Sequence, residues 1–397
     1  MLRFLIFLFP AMVDVIIGTL IFVTNLRLVN SGAEALDCTL PATTWALGHS
    51  VFSFFVARIN NTQRSPFLIV FGCLVMAAGS LLLIFLNDPN LQIYWALVVG
   101  LGSAFFFCSF QVFMKASDKD VHAGLVRSTA LYGFAWSCGI ASGPFIASLI
   151  WGRLDPVNGW KYCYWISIAL VLIVASATWP LKYYIENHHK KTPEAAPEPK
   201  PFNKPKTDYS RLPDLVWLGW LTAGIGCLTV TLIRTIFPYK AKILQLSNEQ
   251  VGLIVALASY SQAFFSLMLI KSRYWMYKTV PMLLFSVCGI IGMVLFWCGT
   301  ENWHFYLAAL IYGVYSASFF FCLVFHSLVH PEKSGKYVSW NEVVVGLTGI
   351  IAGVAGGRLV DITGNWNLPF IIAAILILSV IAYQFISLRK IDPELVK

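Results

Sequence analysis

The chain has 397 residues, 58% of them hydrophobic and only 12% charged, and its mean hydropathy is +0.72. A soluble chain carries about 25% charged residues, so these values exclude an ordinary globular protein. The formal net charge of +9 does not mark a nucleic-acid binder, because Lys and Arg are scattered between apolar runs rather than gathered on one face.

Apolar runs of roughly 20 residues, each long enough to cross a hydrocarbon layer about 30 Å thick as a helix, recur along the whole chain. The alternating ten-residue segments of a membrane barrel are absent. In chain order the spans are expected near Phe4 to Leu26, Pro41 to Arg58, Pro66 to Leu86, Gln92 to Met114, Ser128 to Trp151 and Lys161 to Tyr183. After a break come Asp214 to Phe237, Glu249 to Ile270, Thr279 to Cys298, Trp303 to Phe325, Ser339 to Val360 and Pro369 to Leu388. The first run follows Arg3 as a signal peptide would. It continues past 20 residues, contains Asp14 and lacks a small-residue cleavage site, so it is expected to be retained as a span. The break, residues 184–212, is rich in Pro, Lys and Glu and is expected to be a solvated linker between two domains, 1–183 and 213–397.

With both termini and the linker in the cytoplasm, only Arg27, Arg153, Lys161, Arg234, Lys240, Lys242 and Arg358 of the 28 Lys and Arg fall on the outer side, which satisfies the positive-inside rule. Trp95, Trp151, Trp160, Trp303 and Trp366 fall near span ends, where indole rings favour the interface. Eight of the nine cysteines sit inside apolar runs and only Cys38 lies in a loop. That pattern suits buried small residues and offers neither a disulfide framework nor metal-ligand spacing.

The two halves echo each other at a period of about 210 residues. Ala46-Leu47 and Phe54-Phe55 return as Ala256-Leu257 and Phe264-Phe265, and Gly139 and Gly143 return as Gly349 and Gly353. The GRLD of Gly152 to Asp155 returns as GRLVD at Gly357 to Asp361, with Trp160 and Trp366 downstream, and the FFFC of Phe105 to Cys108 recurs at Phe319 to Cys322. Several matches in one order, on equivalent spans, argue for duplication.

Twelve spans, a charged central linker and a six-plus-six repeat resemble the major facilitator superfamily of secondary transporters, over essentially the whole chain. The sharpest local match is Gly139-Ile-Ala-Ser-Gly143-Pro144-Phe-Ile-Ala147, which resembles the family's fifth-helix signature: small residues let helices approach closely and the proline kinks one of them. The family's other signature, the loop between the second and third spans, keeps here only its basic residues, Arg58 and Arg64, without the acidic residue or the glycines. The resemblance implies an all-α membrane protein of twelve transmembrane helices in two pseudo-symmetric six-helix bundles.

Ionisable groups inside a bilayer cost roughly 2.5 to 3.5 kcal/mol each on insertion scales and mark functional sites by default. Asp14 lies about ten residues, or roughly 15 Å, into the first span. A midplane carboxyl there can exchange a proton as water reaches it from either side, or can serve packing in its protonated form. His49 lies at a similar depth, as a relay partner of Asp14 or as a packed neutral ring. Glu342 sits near the cytoplasmic end of the eleventh span and is expected in a gating or structural role, paired with a basic residue such as Lys336. Arg234 either faces the pathway, where it suits an anion, or snorkels to the surface. Gln111, Tyr260, Ser261 and Gln262 can hydrogen-bond a solute at the repeat interface or join helix to helix, and Trp136 can stack on a ring or pack. Gly139, Gly143, Pro144, Gly349 and Gly353 are the packing and gating candidates.

The expected activity is alternating-access transport of a small organic solute, coupled to protons, by a monomer in the plasma or inner membrane. Uncoupled facilitation by the same fold is the alternative, and a membrane-embedded enzyme or a receptor stands behind both. No HExxH, no phosphate-cradling GxxxxGK[ST] and no metal-ligand spacing occurs, so no cofactor and no catalytic residue is expected.

Overall fold

Why α2 starts where it does cannot be read from its own sequence. In the computed structural model, which describes residues 2–86, 88–116, 125–155, 157–191, 213–269, 274–329, 333–389 and 391, this helix runs Ala35–Ile59, six residues ahead of the expected start at Pro41. Its N-cap, Glu34, makes no side-chain cap. The first amides, Ala35 N and Leu36 N, donate instead to the two carboxylate oxygens of Asp361 at 2.9 and 3.1 Å. Pro41 lies inside the helix, in its second turn.

The other helices are α1 (Leu2–Ser31), α3 (Ser65–Phe85), α4 (Gln92–Ala116), α5 (Leu125–Leu149), α6 (Gly159–Lys191), α7 (Val216–Ile243), α8 (Asn248–Met268), α9 (Thr279–Cys298), α10 (Asn302–Val329), α11 (Ser334–Thr363) and α12 (Leu368–Leu388). Among the described residues eleven of these twelve are long and apolar enough to cross a membrane. The exception is α2, whose Thr39, Thr43, His49 and Ser53 are buried against other helices rather than turned to lipid. α6 continues through Lys191, into the stretch expected to be linker; residues 192–212 lie outside the described residues. Likewise α7 passes through Pro238 rather than stopping before it.

The fold is all-α, a twelve-helix membrane protein of two six-helix bundles. α3, α6, α9 and α12 are peripheral, packing mainly within their own half, and they carry exposed side chains such as Phe67, Phe85, Val280, Leu284, Ile375 and Leu378, as a lipid-facing surface requires. The halves meet along two equivalent pairs, α2 on α11 and α5 on α8, with α1 and α7 beside them. Both ends of the described chain lie on one face, here the terminal face. The turns between α1 and α2, α5 and α6, α7 and α8, and α11 and α12 lie on the opposite one.

Gly139 and Gly143 of α5 press on α1 within the first half. A methyl at Gly143 would meet Val15 O at 2.6 Å and Gly18 C at 2.7 Å, and one at Gly139 would collide with Ala11 O. Gly349 and Gly353 echo them in sequence but face the other half: methyls there would meet Ala46 Cβ at 3.3 Å and collide with Thr43 Oγ1 of α2. The two glycine pairs are equivalent in the repeat and different in what they hold together.

Candidate functional site

Between the halves lies a cavity of about 1050 Å³ of empty space, counting the part open to solvent. α1, α2, α4 and α5 line one side and α7, α10 and α11 the other. Gly349 lines this cavity, and six of the polar or aromatic residues singled out from the sequence as pathway, coupling or gating groups meet there: Asp14, His49, Gln111, Trp136, Arg234 and Glu342. Each comes from a different helix, so only tertiary packing brings them together.

Glu342 is the centre of the polar cluster, and the expectation that it pairs with a basic residue such as Lys336 is corrected. Its Oε2 lies 3.0 Å from His49 Nε2 and its Oε1 accepts from Gln111 Nε2 at 2.8 Å. α11 is thereby tied to α2 and α4 of the other half. The possible contact between His49 and Asp14 is not made, because the second ring nitrogen of His49 lies 2.9 Å from Ser103 Oγ. The Ser103 hydroxyl donates its one proton to Gly100 O at 2.7 Å, so Nδ1 must be the donor to Ser103. Nε2 and Oε2 then need a proton between them, since two facing lone pairs would repel. As imidazolium and carboxylate or as imidazole and carboxylic acid, the pair holds one proton more than a neutral ring beside a carboxylate. The Trp45 ring stacks on His49 at 5.5 Å and 19°, an arrangement that also suits a cationic ring.

Asp14 is buried, and its Oδ2 has no hydrogen-bond partner. Arg234 faces the cavity rather than snorkelling to the surface, and its hydrogen bond is a long one, Nη2 to Ser259 Oγ at 3.4 Å. Trp136 sets its ring edge-on to Phe320 across the halves, at 4.6 Å.

Tyr260, Ser261 and Gln262 do not line this cavity. Tyr260 Oη shares a hydrogen bond with Ser142 Oγ at 3.0 Å, and Gln262 Nε2 donates to Ser137 Oγ at 2.7 Å while its Oε1 accepts from Ser316. Ser261 donates to Leu310 O. All three are helix-to-helix fasteners around α8. Sequence reasoning missed Trp45, Phe107, Tyr132 and Phe320, which carry no signal in apolar runs until a cavity selects them, and Ser103, which enters only as the partner of His49.

Towards the opposite face the halves are fastened repeatedly. Thr39 Oγ1 donates to Gly353 O at 2.8 Å, Asn25 Nδ2 to Thr235 O at 3.0 Å and Lys242 Nζ to Asn30 Oδ1 at 3.1 Å. The repeated GRLD and GRLVD segments supply the outermost ties with opposite chemistry. Arg153, at the end of the α5 arm, forks onto the carboxylate of Glu249 in the first turn of α8, whereas Asp361, at the end of α11, takes the bare amides of α2. α8 has its own capping box, which occupies the amides of Ser247 and Gln250, and what it offers the other half is the acidic side chain of Glu249.

A family model described as the Major Facilitator Superfamily matches residues 3–330. Among curated proteins, the "Uncharacterized MFS-type transporter YfkF" of Bacillus subtilis (strain 168) is similar at 24% identity over 247 residues, 60% of this chain and 57% of that protein, so the alignment spans little more than half of the relative. Among solved structures, the "Crystal structure of nucleoside transporter NupG" is similar in fold, with a TM-score of 0.65 and 14% identity, covering 98% of this chain and 100% of that one.

Proposed function

This chain belongs to the major facilitator superfamily of membrane transporters, and on that premise we propose that it carries a small organic solute by alternating access, coupled to protons through Asp14 and the His49–Glu342 pair. The observation that supports this reading is the convergence of ionisable groups from both halves, Asp14 and His49 from one and Arg234 and Glu342 from the other, on a single cavity at their interface. Such groups are costly in a bilayer and lie where solute and coupling ions bind in transporters built from repeats. A proton held between α2 and α11 ties the halves together, and its departure weakens that tie. Asp14, a buried carboxyl with an unpartnered oxygen, takes up a proton when water reaches it. The distribution of Lys and Arg supports the cell membrane with cytoplasmic termini, and we take the working unit to be a monomer.

The test is uptake by proteoliposomes across a panel of labelled metabolites, with and without an inward proton gradient. Wild type should show saturable uptake that the gradient raises. Asp14→Asn should keep solute exchange and lose accumulation against a gradient. Uphill uptake by Asp14→Asn equal to wild type removes the coupling, and no saturable uptake of any solute removes the transport reading.

A further inference from the structure

The deep end of the cavity holds a guanidinium without a counter-ion. Two ion pairs, His49 with Glu342 and Arg153 with Glu249, join side chains of the two halves, and Arg234 belongs to neither. Its single long bond to Ser259 leaves most of its five N–H donors unused. The nearest hydroxyls on its own helix are turned away, Thr231 Oγ1 donating to Cys227 O and Thr235 Oγ1 to Thr231 O. Beyond it, towards the closed face, is only a small recess lined by Gly18, Ile21, Phe22, Ile140, Pro144 and Val255, none of which offers a side-chain acceptor. Both acidic groups of the cavity stand apart: Glu342 is engaged by His49 and Gln111, and Asp14 makes neither an ion pair nor a hydrogen bond with Arg234. Burying an unpaired charge is expensive, and nothing in the packing around Arg234 demands one.

We infer that Arg234 anchors the anionic group of the carried solute, and that the solute is a small organic monoanion, a carboxylate on an apolar, ring-bearing body. This rests on the transporter reading. The planar guanidinium fork matches a carboxylate with two parallel hydrogen bonds. A second negative charge on the solute would face Asp14 or Glu342 in the same cavity. The walls available to the rest of the solute are aromatic and aliphatic: Trp45, Phe107, Trp136, Phe320, Ile17 and Val345. Such a mostly apolar lining with a few convergent polar groups suits a ligand of that kind.

The experiment uses the purified full chain in lipid nanodiscs, with binding read by thermal shift and by quenching of tryptophan fluorescence. The probes are benzoate, phenylphosphonate, benzyl alcohol, benzylamine and phenylalanine. Benzoate should bind saturably and more tightly than the other four. Arg234→Gln should weaken it by about tenfold or more, as expected for a lost charge-assisted pair, and Arg234→Lys should weaken it less. Size-exclusion profiles matching wild type establish that the variants are folded, and the lysine variant serves where the glutamine one fails that check. Several outcomes overturn the inference: benzyl alcohol or benzylamine binding as well as benzoate, phenylalanine or phenylphosphonate binding more tightly, benzoate affinity unchanged in either Arg234 variant, or no binding of benzoate. Benzoate counterflow in proteoliposomes separates the two levels. Binding without exchange across the membrane sinks the transport reading and leaves the anion site standing, whereas exchange of a neutral solute at the wild-type rate by Arg234→Gln sinks the anion site alone.

Discussion

Removing the Asp361 carboxylate tests whether the closed face is held by a cap borrowed from the other half. The two amides that Asp361 accepts from, Ala35 N and Leu36 N at 2.9 and 3.1 Å, have no substitute, because the local N-cap residue makes no cap of its own. Losing an N-cap side chain costs about 0.5–2 kcal/mol, and a carboxylate at a helix N-terminus adds favourable dipole interaction. Since the bond joins α11 to α2, it exists only while this face is shut, so the whole loss falls on the closed state. The open population should rise roughly 2- to 30-fold, the Boltzmann equivalent of that range. A native reporter sits beside the site: Cys38, in the first turn of α2, is 1% exposed. Its labelling by N-ethylmaleimide at fixed pH, followed by mass spectrometry of the peptide that contains it, should accelerate by that factor in Asp361→Ala. Arg153→Ala, at the equivalent place in the repeat, should change closed-face labelling much less. The pair it breaks is exposed and screened by solvent, and α8 keeps its own capping box. Unchanged Cys38 labelling in a folded Asp361→Ala protein, or a larger effect from Arg153→Ala, would refute the argument.

Three further outcomes follow from the same geometry. Gly143→Ala puts a methyl 2.6 Å from Val15 O, forcing α1 and α5 apart; overpacking of this kind costs about 1–3 kcal/mol, read as a lower Tm in a thiol-dye melt. Lys240→Met removes the ammonium that caps the end of α9 through Phe296 O at 2.6 Å and Trp297 O at 3.1 Å, and should lower stability by about 1–3 kcal/mol in the same melt. Glu342→Gln lets an amide donate to a neutral His49 ring while its oxygen still accepts from Gln111, so the tie between α2 and α11 no longer needs an extra proton. In wild type the same tie needs that proton in place. Cross-linking of cysteines placed on α2 and α11 should therefore be kept or raised in the variant, and its loss in a folded Glu342→Gln protein would contradict the proton count.

The number and order of helices were legible because twelve apolar runs of membrane length leave no other way to satisfy the backbone. That Asp14 and His49 would lie at a similar level was also legible from counting 1.5 Å per residue along their helices, and the two line one cavity. Partners were not. Glu342 pointed in sequence to nearby lysines, yet its partners are His49 and Gln111, 293 and 231 residues away in the chain. Gln262 was open to two uses, as a solute ligand or as a bond between helices, and its partners in the fold are Ser137 and Ser316. A run of sequence states that a polar group must be satisfied, not by whom.

The repeat shows the same limit in a sharper form. Gly139 and Gly349 are related by the duplication, yet one lets α5 close on its own half and the other lets α11 close on the opposite half. Likewise the GRLD and GRLVD segments occupy matching places and fasten matching helix ends, one with a cation to an acidic side chain and the other with an acid to bare amides. Equivalent positions with unlike bonds give the α5–α8 and α2–α11 seams different chemistry. Among the described residues the imidazole–carboxyl pair His49–Glu342 lies on the α2–α11 seam, whereas the corresponding α5–α8 contacts are Ser142 with Tyr260 and Ser137 with Gln262. On the proton coupling proposed above, opening should therefore begin as a separation of α11 from α2 while α5 and α8 act as the pivot.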